Sequence, residues 1–476
     1  MAPAEKTPEI AVSDTELTKA PPPSFRSRDD RLAAGKALRA TLRHQTHGDW
    51  KFRAATRRNP IRILEESNRG RLPELVPIRY GRMLGSPFTF LRGSAGLMAH
   101  DLAMMPTTGV RVQACGDCHL LNFGFFASPE RNLIFDINDF DETLPAPWEW
   151  DVKRLAVSIA VAARENGHTD AHAGDAAVEC ARAYRQHLRD YSKKSPLDTW
   201  YGRLDEQLVI AAAPDAEARQ RRKGYAAKAH SRVADHLFPK ISEEVGGRRR
   251  LLDQPPRLFH VGRKDQKDWD ERVHEMLEEY RQSLSDSVCV LFDGYRLQDF
   301  AVKVVGIGSV GTRCFVGLFF SPENHPLLLQ FKEACASVLE PFAGVSRYAN
   351  HGQRIVNGQR LMQSASDIFL GWARGRRGSH FYVRQLRDMK FSAPVEGATP
   401  RQLRRYGELC GWSLAHAHAK SGDSVTISGY LGKSGEFDQA IGHFALAYAD
   451  QTARDHAALV AAVKAGRIKA LVEEDD

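Results

Sequence analysis

Two short stretches constrain what this 476-residue chain can become. The first, Ala114-Cys-Gly-Asp-Cys-His-Leu-Leu-Asn-Phe-Gly124, is a Gly-Asp-x-His loop with an asparagine five residues after the aspartate. The second, Asn132-Leu-Ile-Phe-Asp-Ile-Asn-Asp-Phe-Asp-Glu142, is an apolar run that ends in Asp136, Asp139 and Asp141. Phosphoryl transfer needs such a set: one carboxylate orients an attacking hydroxyl, and an amide oxygen with a second carboxylate holds Mg²⁺ against phosphates. A polar β-hairpin with solvated carboxylates would explain any one of these residues, since Asp and Asn are common in turns. It does not explain the combination.

The rest of the composition narrows the class. Hydrophobic residues make up 42% and charged residues 26%, as in a soluble globular protein of two or three lobes. The net charge of +8 favours anionic partners such as nucleotides, but the basic residues are scattered in short runs, so nothing points to a nucleic-acid surface. Seven cysteines are too few and too irregular for a disulfide framework. Cys115 and Cys118 form a Cys-x-x-Cys, with no second Cys/His pair nearby to complete a zinc site. The N-terminus lacks a basic segment followed by an apolar core, and no run of 18 apolar residues exists, so no membrane partner and a cytoplasmic location are expected.

Along the chain, residues 1–28 read as a disordered, proline-bearing tail. Amphipathic helical patterns follow, including a capped helix from Asn59. Leu72–Tyr80 reads as extended and Met83–Gly93 as strand-prone, with Arg79, Arg82 and Arg92 as ion-pair donors or contacts to phosphate or an acidic substrate. Val152–Asn166 is a clear helix. Residues 167–290 read as mostly helical (171–193, 197–213, 216–237, 267–285), a long insertion expected to supply the pocket for an acceptor. From Tyr295 the pattern turns to strands: Gln298–Val305, then Gly306-Ile-Gly-Ser-Val-Gly-Thr312, then Arg313–Phe320, then Pro326–Lys332. The apolar, aromatic run after the glycines predicts strand, turn, strand, not the helix that opens after a dinucleotide-binding loop. His380–Asp388 is a further strand, and Gln402–Ala419 and Phe437–Val472 are helices.

The loop around Asp117 and the aspartate segment resemble those of the kinase superfamily, in the Gly-Asp-x-His-x-x-Asn form of aminoglycoside and choline kinases. That resemblance implies Asp117 as catalytic base, His119 as a supporting loop residue, Asn122 as a metal ligand, and Asp136 or Asp139 as the metal-binding aspartate, with Asp141 beside them. Gly306, Gly308, Ser309, Gly311 and Thr312 would cover the phosphates of ATP, and Lys332 would pair them. Glu333, Glu340 and residues of the 352–363 helix compete as partner of Lys332. Asp151 would hold the loop from behind, and the helix ending in His416 and His418 resembles the one that precedes such loops. The blocks come in an unusual order, with the loop near residue 120 ahead of the glycine turn. The implied fold is therefore α+β: a two-lobed kinase-like fold, circularly permuted, with a large helical insertion. Its divisions would be a tail over 1–28, helices and the loop-metal segment over 29–166, a helical region over 167–290, a β-rich nucleotide lobe over 291–392, and C-terminal helices over 393–476. Longer stretches, among them Leu72–Arg82, Asn138–Thr143, Trp148–Ala156 and Ser346–Arg354, are similar to the bacterial domain-of-unknown-function 2252 family. The expected partners are ATP, Mg²⁺ and an unknown small-molecule or protein acceptor. AMP transfer, a nucleotide-binding pseudokinase and a metal-dependent hydrolase are the competing readings.

Overall fold

The Trp148–Glu165 helix organises the larger part of the molecule, and every residue from Trp148 to Ala163 is buried in it. A helix buried on all sides is expected to be apolar all round. This one carries Glu149, Asp151, Lys153 and Arg154, so each of those groups needs a buried partner. It packs against the Asp170–Tyr191, Pro400–Ser421 and Glu436–Lys464 helices, where Leu155, Ile159, Tyr184, Leu414 and Phe444 share one core. Each such side chain contributes about 1.5–3 kcal/mol by leaving water. The computed structural model describes residues 26–50, 57–232, 234–260, 266–304, 306–376, 378–386 and 389–473. The expected disordered tail falls almost wholly outside the described residues.

Two hairpin-like pairs sit at the head of this bundle. Strand β1 (Arg111–Ala114) pairs antiparallel with β4 (Leu144–Pro147), and β2 (Phe123–Ala127) pairs with β3 (Leu133–Ile137), setting Gly124 opposite Asp136. A separate hairpin joins β5 (Ser242–Val245) to β6 (Arg248–Leu251). The remaining strands are β7 (Leu258–Phe259), β8 (Arg296–Lys303), β9 (Cys314–Phe320), β10 (Pro326–Ala334), β11 (Gly371–Arg374) and β12 (His380–Gln385). They form a six-stranded antiparallel sheet in the order β11-β12-β10-β9-β8-β7. Lys332 lies on central strand β10, opposite Cys314 of β9 and Tyr382 of β12. Phe300, Phe315 and Phe331 build a second core with Tyr280 of the Gln266–Gln282 helix. The His351–Met362 helix contacts β10, β11 and β12 and sends Ile355, Val356 and Met362 into the first core, so it joins the two. The fold is mixed α+β, and among the described residues no helix is long and apolar enough to cross a membrane.

Three expectations are corrected. The segment read as extended from Leu72 to Gly93 forms helices Val76–Leu84 and Pro87–Gly93. Proline near each start suits a first helical turn, and Ser86 and Thr89 make a reciprocal capping box; such a cap contributes about 1 kcal/mol. Its aromatics, Phe88 and Phe90, are buried helix-face residues. The single helix expected over 197–213 is two, Pro196–Tyr201 and Glu206–Ala211, because the chain extends between them and Leu204 O accepts the Phe135 N–H (2.8 Å). The 167–290 region is not set apart from the rest: its first helix lies in the main core and Gln266–Gln282 packs beneath the sheet.

Candidate functional site

The loop after β1 is held in shape by its own backbone and by one carboxylate. Gly116 has φ +83°, and a Cβ there would sit 2.5 Å from Glu142 O, so the turn before Asp117 needs glycine. Asp151 accepts the N–H groups of Cys115 (2.7 Å) and Gly116 (3.0 Å), and the His418 ring stands 3.3 Å away, as the sequence suggested for Asp151. Asn122 donates its amide to Asp117 O (2.7 Å), which leaves its side-chain oxygen free of any protein donor among the described residues. Asp117 pairs with Arg154, whose Nε lies 2.7 Å from Oδ1; the other carboxylate oxygen is 3.9 Å from His119 Nε2. Burial drives the His119 imidazole down to about 3, so it is neutral, and its Nδ1 lacks a partner.

The three aspartates divide sharply. Asp136 is 2% exposed and turned away, accepting from Ile137 N, Ser413 Oγ, Ser364 N and Ser364 Oγ at 2.9–3.1 Å. It lines neither cavity described below and has no lone pair left for a metal. Asp141 is nearly filled: Lys332 Nζ (2.8 Å) and Ser309 Oγ (3.1 Å) reach one oxygen, and Tyr382 OH (2.7 Å) the other. Asp139 is the open carboxylate: among the described residues it has Lys332 Nζ at 4.0 Å and a single hydrogen bond, from the Asp141 N–H (3.3 Å). Burial pushes the Asp139 carboxyl up, but Lys332, Arg384 and Lys390 together outweigh it and hold it below its ordinary range. Lys332 is likewise kept charged: burial favours the neutral amine, and Asp139 and Asp141 overcome that. Among the described residues no helix-borne glutamate meets Lys332. Glu333 pairs with Arg313 (2.6 Å), Glu340 accepts from Ser337 N (3.4 Å), and the facing helix supplies Arg354, which binds the carbonyls of Asp141, Thr143 and Cys335.

The glycine turn between β8 and β9 lies over this cluster. Gly306 (φ +61°) and Gly311 (φ +88°) adopt left-handed backbone, whereas Gly308 does not. Thr312 closes the turn on Ser309 O through its hydroxyl (2.8 Å) and its N–H (3.1 Å). The turn's carbonyls are taken by the N-terminal segment: Leu72 N reaches Gly311 O (2.7 Å), Arg71 binds Val310 O, and Arg82 binds Gly306 O and Glu473.

Two cavities flank Asp139, and Asp139, Gly306 and Ser309 line both. The larger, about 380 Å³, holds Asp117, His119, Asn122, Arg92 and Glu142. The smaller, about 320 Å³, lies against the sheet and holds Lys303, Lys332, Arg384 and Lys390. Burial, with Arg384 beside it, brings the Lys390 ammonium down to about 7. Among the described residues, none from 167–290 lines either cavity, against the expectation that this region supplies the pocket. Arg154, Tyr382 and Lys390 were missed by sequence reasoning, whereas Arg92 was named as an ion-pair donor or a contact to phosphate or an acidic substrate. Arg154 did leave a signal, a charge on a helix rich in apolar residues.

No curated protein and no solved structure matches the chain. A family model described as an uncharacterized protein conserved in bacteria matches residues 71–462, a span that takes in the sheet-side cavity, most of the lining of the larger one, the two aspartate-bearing hairpins and the sheet with Lys332. The chain belongs to that bacterial family, DUF2252.

Proposed function

We propose that the protein is a phosphotransferase that uses Mg-ATP, with nucleotide in the sheet-side cavity and a small acceptor in the other. The observation that carries this reading is the contact of Lys332 with Asp141 at 2.8 Å and Asp139 at 4.0 Å, beneath a glycine turn. Two blocks far apart in sequence thus meet as one set of charges. In the same proposal the arrangement is a permuted kinase-like one, with Lys332 on the third strand after the turn-bearing pair.

The chemistry follows from the groups present. Lys303, Lys332, Arg384 and Lys390 line a cavity sized for part of a nucleotide, and their charge suits phosphates. Asp139 and the free Asn122 oxygen are hard oxygen donors, the type that Mg²⁺ prefers, and would hold it; the ion would neutralise charge on the phosphates. Asp117 would accept the proton of the acceptor hydroxyl, with Arg154 fixing its orientation. Neutral His119 would hydrogen-bond that hydroxyl without competing for the proton.

The test is a thermal-shift titration of the full chain with ATP, with and without Mg²⁺, on wild type, Asp139→Ala and Lys332→Ala. Nucleotide at a hundred times its Kd should stabilise wild type by about 2.7 kcal/mol. That gain should need Mg²⁺ and vanish in both variants. Transfer of label from the γ-phosphate, not the α-phosphate, then separates phosphoryl from AMP transfer. Absence of any nucleotide-dependent shift would sink the reading.

A further inference from the structure

The larger cavity contains polar groups that a nucleotide in its neighbour would leave unused. Arg92 lines it with no hydrogen-bond or ion-pair partner among the described residues, and its Nε is buried without an acceptor. A guanidinium carries five N–H donors in a planar fork, which only water or an oxyanion can satisfy there. Of the carboxylates on this wall, Asp117 is engaged by Arg154, Glu333 by Arg313, Asp141 by Lys332 and Glu66 by Arg58, and burial raises Glu142 toward its neutral form. Asp139 stays charged, and with Asp117 it supports the Arg92 charge without hydrogen-bonding to it. Arg79, by contrast, is spent on Asn68 and on Gly93 O (2.7 Å).

Two independent features point the same way. The Ala95–Ala103 helix begins on this wall, with Ser94, Ala95 and Gly96 lining the cavity and no side-chain cap on its first turn. An uncapped helix start offers N–H groups and a partial positive charge to an anion. His119, only 4% exposed, lines the same cavity with Nδ1 lacking a partner.

We infer that the acceptor is a small hydroxyl compound bearing an oxyanion group, phosphate or carboxylate, which Arg92 and the start of the Ala95–Ala103 helix hold. A cavity of about 380 Å³ limits it to roughly the size of a sugar phosphate or a hydroxy acid. The word acceptor rests on the phosphotransferase reading; the oxyanion subsite does not. In the transfer, the hydroxyl oxygen bonds to the γ-phosphorus as the bond to the β–γ bridging oxygen breaks. ADP leaves with that electron pair, and the hydroxyl proton passes to Asp117.

The experiment is a calorimetric titration of inorganic phosphate, and separately of malonate, into the full chain. Each is run with and without saturating Mg²⁺ and a non-hydrolysable ATP analogue. At least one anion should bind in both states, and which one binds tells phosphate from carboxylate. Arg92→Met should weaken it about 10-fold to 100-fold, the worth of a charged hydrogen bond. Arg92→Lys should keep part of the affinity. No anion binding to wild type, equal binding to Arg92→Met, or displacement of the anion by the analogue would overturn the subsite. If the analogue never binds yet anion binding still depends on Arg92, the subsite stands and the phosphotransferase reading falls.

Discussion

The two cavities share Asp139 and a glycine turn, yet charge is handled differently in each. On the sheet side Lys303, Lys332, Arg384 and Lys390 face one another with Asp139 and Asp367 as the acids. Burial first, and then the charges of Arg384 and Lys332, lower the Lys390 pKa to about 7, a cost that a bound phosphate would relieve. On the helix side more of the charge is matched, Asp117 with Arg154 and Glu333 with Arg313, while Asp139 stays open and Arg92 has a buried Nε with no partner among the described residues. A cavity with cations in excess favours any polyanion, whereas a better-matched cavity with an unpaired buried guanidinium nitrogen on its wall selects an oxyanion at one position.

The largest effect that would break this contrast is at Lys332. Lys332→Met should lower Mg-ADP affinity by about 10²-fold, near the cost of losing a preorganised charge contact. It should also destabilise the fold by about 2 kcal/mol in urea, because half-buried Asp141 loses a charge-assisted hydrogen bond while keeping those of Ser309 and Tyr382. Lys332→Met with Asp141→Asn should recover stability but not affinity; joint recovery would mean that the lysine has only a structural role.

Next is Lys390. Its native pKa of about 7 is below the ordinary value near 10.4, so between those limits the free protein lacks a proton that a bound phosphate should restore. Mg-ADP binding at pH 8 should take up close to one proton in wild type and none in Lys390→Met. Calorimetry in two buffers of different ionisation enthalpy reads this directly.

On the helix side the expected effects are smaller. Burial raises the Glu142 carboxyl to about 7, against an N–H bond from Val338 (2.7 Å) that opposes it. Between about 4.3 and 7 the native state holds a proton that the unfolded chain has lost, so this group's contribution falls as pH rises through that window. Glu142→Gln should therefore melt about 1–3 °C above wild type at pH 8 and close to it at pH 4. Smallest is Gly311→Ala, with φ +88° and a Cβ that would stand 3.0 Å from the Arg71 Cβ. It should lose about 1 kcal/mol, measured by urea unfolding, with little effect on anion binding.

Much of this architecture was legible because it rests on periodicity and turn chemistry. Strands β8, β9, β10 and β12 and the long helices after residues 148, 170, 400 and 436 follow from alternating or helical apolar patterns. The Leu72–Gly93 segment was misread because its aromatics resemble strand residues, while the decisive signal was a proline and a capping box at Ser86. For the site, Asp117, Asn122, Asp139 and Lys332 were nameable from motif spacing. What spacing cannot show is which side of β3 a carboxylate finds occupied. Asp136 and Asp139 are three residues apart, yet one meets two serines on distant segments and the other meets open space. Arg92 was named, but not which of its two readings applies, because that depends on what does not reach it; Lys390 was illegible, since its character comes from burial and from the Arg384 charge beside it.

The Lys332–Asp141 contact joins residues 191 positions apart in the chain. At about 5–20 residues per second of synthesis, roughly 10–40 s pass between the emergence of the aspartates and that of their lysine. During that interval the hairpin bearing Asp139 and Asp141 has no counter-charge, and Arg354, which fastens the carbonyls of Asp141 and Thr143, comes later still. The growing chain can bury the Trp148–Glu165 helix only in part, because its Pro400–Ser421 and Glu436–Lys464 neighbours emerge last. Biogenesis of this protein is thus a waiting problem: its first third stays incomplete and exposed to holdase chaperones until the final third leaves the ribosome.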